Sequence, residues 1–323
     1  MRIGYSLSSE EHPPDTLVEQ AVRAEAAGFE FALISDHFHP WTDRQGHSPF
    51  VWSVLGALAR ETKKLRLGTG VTCPLVRTHP AIIAHAAATI GCMMPGRFFL
   101  GLGTGENLNE HVTGERWPRF GVRREMLAEA VEVVRLLWKG GVRSHHGRYY
   151  TVEEARIYDL PDPLPDIYLA AGGAKSGEMA GRLGDGLISV APKRELIRAF
   201  ENAGGRGKPK IGQMAVCWAG DEATARKTAL EWWSSGAISG AASQELPLPK
   251  HFEQLTSMVT EEMVAKEIVC GPDPRRHLDQ IRKFAEAGFD HVYVHQVGPD
   301  QDAFFEGYRK HVLPEVESIR TAA

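Results

Sequence analysis

From "RIGYSLS" near the start to "FDHVYVHQVG" near the end, short apolar runs alternate with longer amphipathic segments. This alternation constrains the fold more than any other feature. Eight runs read as strands, starting near positions 2, 29, 65, 97, 166, 185, 210 and 289. Most are apolar almost throughout, as parallel strands covered on both faces must be. Between them stand helical patterns such as "DTLVEQAVRAEAAG", with Asp15 as N-cap and Gly28 closing it, and "PAIIAHAAATIGCM", with Pro80 in its first turn. A doubly wound open sheet shares this rhythm. Eight units in 323 residues, with no break in composition, favour a single (β/α)8 TIM barrel over 1–323. The surplus length falls in a hairpin excursion over 140–163 and in an inserted loop with helices over 234–265.

Composition narrows the partners. A net charge of −4 gives no electrostatic ground for a nucleic-acid or anionic-membrane partner. "MRIGYSLSSEEHPP" lacks the apolar core of a signal peptide, and no apolar run approaches the ~18 residues of a membrane helix. Cys73, Cys92, Cys217 and Cys270 lie far apart, without metal-binding spacing, and read as buried free thiols of a cytoplasmic protein.

In a barrel of this class the chemistry belongs at the carboxyl ends of the strands. Those ends carry Glu10 and Glu11 after the first strand and "SDHFHPW", with Asp36, His37, His39 and Trp41, after the second. "GVTC" follows the third, "GTGENLNE" the fourth, "AAGG" the fifth and "VAPK" the sixth. His37 and His39 have the HxH spacing of a metal site, but the fifth and sixth strands offer no histidine, and Pro40 interrupts the extended chain. Proton transfer suits the residues better. A histidine exchanges protons near neutral pH, and Glu106 and Glu10 face it as further acid–base groups. His39 reads as an ordinary polar strand end. "GLGTGEN" fails as a dinucleotide fingerprint, being GxGxG on the fourth strand. "YLAAGGAKSGEMA" reads equally as a packing turn or as an anion site at a helix start. Lys193 and Lys266 can each meet a phosphate as a point charge, although surface lysines are common.

"SDHFHPW", "GTGENLNE" and "AAGG", in that order on those strands, resemble the luciferase-like superfamily. The likeness is to its branch that uses coenzyme F420, an 8-hydroxy-5-deazaflavin, including glucose-6-phosphate dehydrogenases and a secondary alcohol dehydrogenase. It runs over nearly the whole chain. The resemblance implies that Asp36 contacts the deazaflavin, that His37 is the base for a substrate hydroxyl, and that Trp41 walls the pocket. It implies that Glu106 is the acid near the ring and that Glu10 holds substrate or its proton network. Gly70–Val71 falls where relatives have a non-proline cis peptide. Cys73, Thr104, Gly105, Asn109 and the run Ala171, Gly172, Gly173, Ala174 fall where relatives bind the cofactor. Lys193 and Lys266 align with lysines that grip a sugar phosphate. Val190 stands where a phosphate-contacting threonine is expected, Asp290 lies where a third cationic contact is sought, and Cys73 replaces a threonine.

The expected protein is therefore an F420-dependent dehydrogenase of an alcohol or phosphosugar. Relatives imply a homodimer packed through helices such as "VWSVLGALA" and "PAIIAHAAATIGCMM". The rival readings are an FMN-dependent monooxygenase, a metal-dependent barrel hydrolase and a non-catalytic F420 carrier.

Overall fold

A computed structural model describes residues 1–323 except 239, 241, 317 and 320–323. Its strands are β1 (Arg2–Leu7), β2 (Phe31–Ile34), β3 (Arg66–Thr69), β4 (Phe98–Leu102), β5 (Arg143–His146), β6 (Thr151–Ala155), β7 (Asp166–Ala170), β8 (Gly186–Ser189), β9 (Lys210–Cys217), β10 (Ile268–Cys270) and β11 (His291–Gln296). β11, β1, β2, β3, β4, β7, β8 and β9 pair in that order, all parallel, and β9 returns to β11. The ring is closed, so the fold is the expected (β/α)8 barrel.

The closed ring is buried on both sides. Inside, Phe31, Leu33, Phe99, Tyr168, Ile188, Ile211 and Tyr293 fill the barrel. Gly68 makes room for one of these rings, since a Cβ there would lie 2.1 Å from Phe99. Outside, the alternate strand residues meet the apolar stripes of the helices, among them Leu17, Leu55, Ile83, Val134, Phe200 and Ile281.

The hairpin excursion is the antiparallel pair β5–β6. The second insertion contains helices Ala242–Glu245, Pro249–Thr256 and Glu261–Glu267. Three local expectations need correction. The first helix starts at Pro14 with Pro13 as its cap, and Asp15 lies in the first turn, because proline is pre-set for that position. Gly28 does close that helix. Cys92 is exposed on its helix, whereas the other three thiols are buried and all four are free. β10 was not anticipated. It extends the edge of β9 above the end of β8, beside Ala215–Cys217. Among the described residues no helix is long and apolar enough to cross a membrane.

Candidate active site

β1 ends in a turn that sends Glu10 and Glu11 to different partners. Glu10 is buried at 3% exposure. Its Oε2 accepts hydrogen bonds from the Ser35 hydroxyl at 2.7 Å and the Ser8 hydroxyl at 3.1 Å. His37 turns Nδ1 toward Glu10 Oε1 at 3.3 Å and toward the His39 carbonyl at 3.2 Å. Both of these partners accept, so Nδ1 carries a proton, and in the neutral ring Nε2 is the atom left with a lone pair. The His37 ring meets the Trp41 indole edge to face, with centroids 5.0 Å apart.

The rest of the "SDHFHPW" segment is gripped from β3 and β4. Asp36 accepts from the Thr72 hydroxyl at 2.8 Å and from Arg77 at 2.9 Å. Arg77 also reaches Glu110, through its backbone N–H at 2.9 Å and its Nε at 3.4 Å. Burial works against the Arg77 charge, yet Asp36 and Glu110 raise its pKa. Burial pushes the Glu110 carboxyl above its usual range, with Arg77 opposing. Asn109 Oδ1 accepts the N–H groups of Phe38 at 2.9 Å and His39 at 3.1 Å. One side chain therefore ties the segment bearing His37 to the segment bearing Glu106. Asn109 is 2% exposed and its Nδ2 is a buried donor with no partner among the described residues.

Glu106 caps the short helix Asn107–Glu110, its carbonyl accepting the N–H groups of Asn109 and Glu110. Its side chain is half-buried and makes no hydrogen bond among the described residues. His37 follows β2 and Glu106 follows β4, so both stand on the same rim of the parallel barrel. Gly105 takes a positive φ of 66°, and a Cβ there would lie 2.5 Å from Cys73 Sγ. Burial holds that thiol well above its usual pKa. Gly70–Val71 is a cis peptide, and Val71 packs on the barrel interior. Thr104 is half-buried beside them.

At the fifth barrel strand the surroundings change. Ala171 is buried, but Gly172, Gly173 and Ala174 are exposed at the start of the helix Ala174–Leu183. Cβ atoms at Gly172 and Gly173 would meet nothing within 4 Å. Lys193 reaches this turn, its Nζ donating to the Gly172 carbonyl at 3.2 Å. Val190, at the end of β8, is 71% exposed. Lys266 is exposed in the last turn of its helix and lines a surface depression with Arg276, Asp279 and Lys283.

Several residues escaped the sequence. Arg77 lies in "PLVRTHP", where nothing marks it, and Glu110 closes a motif in which Glu106 drew the attention. His295 escaped as well: it is the partner, at 2.6 Å, of the strand-end Glu11, which also accepts the Gly298 N–H at 2.9 Å. Burial alone would raise the Glu11 pKa, but His295 and the Gly298 bond bring it below the usual range. His39 is satisfied as expected, with Nδ1 on the Leu108 carbonyl at 2.9 Å. No group of three or more histidine, cysteine or acidic residues is arranged to hold a metal among the described residues.

Barrel and rim together define a protein that keeps a histidine–carboxylate pair, a half-buried second acid and a non-proline cis peptide at the carboxyl ends of its barrel strands. The chain belongs to the luciferase-like monooxygenase family, whose model matches residues 1–291. It is 35% identical over 333 residues to an F420-dependent glucose-6-phosphate dehydrogenase of Mycolicibacterium fortuitum, covering 99% of each chain. To the protein of that name from Kribbella flavida it is 38% identical over 333 residues, again covering 99% of each. A solved F420-dependent secondary alcohol dehydrogenase, in complex with an F420–acetone adduct, superposes with a TM-score of 0.90. That structure is 32% identical, and the match covers 96% of this chain and 98% of that one.

Proposed function

We propose that this protein is an F420-dependent dehydrogenase that transfers a hydride between the deazaflavin and a small alcohol or sugar 6-phosphate. The observation that carries the reading is the His37–Glu10 pair standing on one rim with Glu106 and with the Asn109 Nδ2, a donor without a partner among the described residues. The relatives' names agree with it.

The residues present fit such a cofactor. With its oxygen committed to the loop, Asn109 has only Nδ2 to offer, a buried donor suited to a ring carbonyl. Asp36, Gly70, Val71, Cys73, Thr104 and Gly105 would surround the ring. The open Gly172–Gly173–Ala174 turn at the start of a helix would receive the phosphate of the tail. When bound, the deazaflavin supplies a ring carbon that accepts or gives a hydride and reacts poorly with oxygen.

The protein's own groups handle the protons. His37 Nε2 takes the hydroxyl proton as the alcohol is oxidised. Glu10, buried and fixed by two serines, holds the ring in the required tautomer and stabilises the imidazolium that forms. Glu106, with no fixed partner among the described residues, is free to give or take a proton from the opposite side. Trp41 walls the place where the alcohol carbon sits and keeps water away from it. Lys193, whose Nζ reaches the Gly172 carbonyl, would meet a phosphate on the substrate.

The test follows the visible absorbance of oxidised F420 with secondary alcohols and phosphosugars. Bleaching is expected with at least one of them. Tight F420 binding with no bleaching by any would make the protein a carrier, and FMN-dependent oxygen uptake would make it a monooxygenase.

A further inference from the structure

We propose that Phe252, on the second insertion, is a positioning residue for Trp41, and that it thereby sets how bulky a group can stand beside the reacting carbon. The proposal rests on the assignment of Trp41 to the substrate wall.

The helix Pro249–Thr256 is eight residues long, and Phe252 is the only residue it buries. Isolated helices of this length are marginal in water, so tertiary contacts must hold it. Phe252 is 0% exposed, and its ring meets the Trp41 indole edge to face at 5.2 Å. The opposite end of the contact chain is the His37 ring, 5.0 Å from the same indole. Trp41 is thus held between the proposed base and a side chain some two hundred residues away in sequence.

The neighbouring contacts point to the same purpose. Asp43 donates its backbone N–H to Glu253 at 3.0 Å. Gln45 accepts the Trp41 N–H at 2.9 Å and donates to the Trp232 carbonyl at 3.1 Å. Arg44 lies over the Trp232 ring at 4.8 Å. On the far side, the buried Arg123 bonds Glu245 at 3.0 Å, and Asn107 bonds the Glu245 carbonyl at 2.9 Å. The insertion therefore spans from the loop after β2 to the segment after β4. Phe252 is its apolar anchor on the wall that bears His37.

The cofactor candidates occupy the ends of β2, β3, β4 and β7, which leaves β8, β9, β11 and β1 for substrate. Trp41 and Phe252 stand on the boundary between these halves. A smaller side chain at 252 lets the indole retreat and opens the substrate half. A larger one presses the indole inward.

The experiment measures kcat/KM for a small and a bulky secondary alcohol, propan-2-ol and cyclohexanol, by F420 bleaching. It is paired with 19F NMR of 5-fluorotryptophan-labelled protein, in which W41F assigns the Trp41 line. F252A should raise the bulky-to-small ratio about tenfold, within the range a pocket methylene or two commands. It should shift or broaden the Trp41 line and leave F420 affinity, read by fluorescence titration, unchanged. F252W should lower the ratio, and F252L, which keeps most of the volume, should stay near wild type. If F252A does not fold, the ratio and the line in F252L and F252W decide. A Trp41 line that stays unmoved in the folded variants overturns the positioning role, and an unchanged ratio with a moved line overturns the control of specificity. Wild-type protein that fails to bleach F420 with any alcohol or phosphosugar removes the dehydrogenase reading instead, while the Trp41 line still tests Phe252.

Discussion

Two regions of the proposed ligand-binding rim are built on opposite plans. After β2, β3 and β4 the polar side chains form a connected network: Asp36 with Thr72 and Arg77, Arg77 with Glu110, and Asn109 with the His37 segment. After β7 and β8 the chain is open, with Gly172, Gly173 and Val190 exposed and a single long lysine reaching in. A hydride moves only over a short, defined path, so the groups beside the ring must be held before the ligand arrives. An anionic tail or phosphate is served well enough by an exposed helix start and a flexible cation. Rigidity is concentrated where the chemistry is proposed.

Breaking the rigid half should have the largest consequences. His37→Ala should lower kcat by about 10²–10⁴-fold while F420 binding is retained, which steady-state bleaching and a fluorescence titration would check. Normal turnover would remove His37 as the base. Arg77→Ala leaves Asp36 and Glu110 facing each other without their shared cation, and should cost about 3–5 kcal/mol in denaturant unfolding. Arg77→Lys keeps the charge but loses the fork, and should recover only part of that.

Glu11 sharpens the comparison on the β1–β11 side. Its folded pKa lies below its ordinary value of 4.5, so its stabilising contribution is present above about that pH and is lost as pH falls through the lower folded value. Glu11→Gln should therefore be less stable than wild type at neutral pH, with the gap narrowing on acidification below 4.5. A gap that is constant from pH 7 to pH 3 would refute the ion-pair account.

The open half should show the smallest effect. Lys193→Ala should raise KM for a phosphorylated substrate several-fold and leave an unphosphorylated alcohol unchanged, since an exposed cation contributes only about 1 kcal/mol. Equal effects on both would exclude phosphate recognition at this rim.

Much of this was legible before any coordinates. The eight apolar runs named the barrel strands, and the position of "SDHFHPW" and "GTGENLNE" at strand ends put His37 and Glu106 on one rim. The grip around them was not legible. Arg77 looks like any loop arginine until folding carries Asp36 and Glu110 to either side of it. Phe252 looks like an ordinary apolar residue in a polar insertion until Trp41 is found beneath it. His295 lies within an apolar strand, and its partner Glu11 is 284 positions away.

What the sequence determined by itself was therefore local and periodic. Burial on both faces dictates apolar strands, amphipathic stripes dictate covering helices, and parallel order puts all the strand ends on one side. The tertiary structure alone decided which polar groups became partners. A hydrogen bond or ion pair depends on a few ångströms between residues far apart in the chain, and only closure of the barrel and docking of the insertion set those distances.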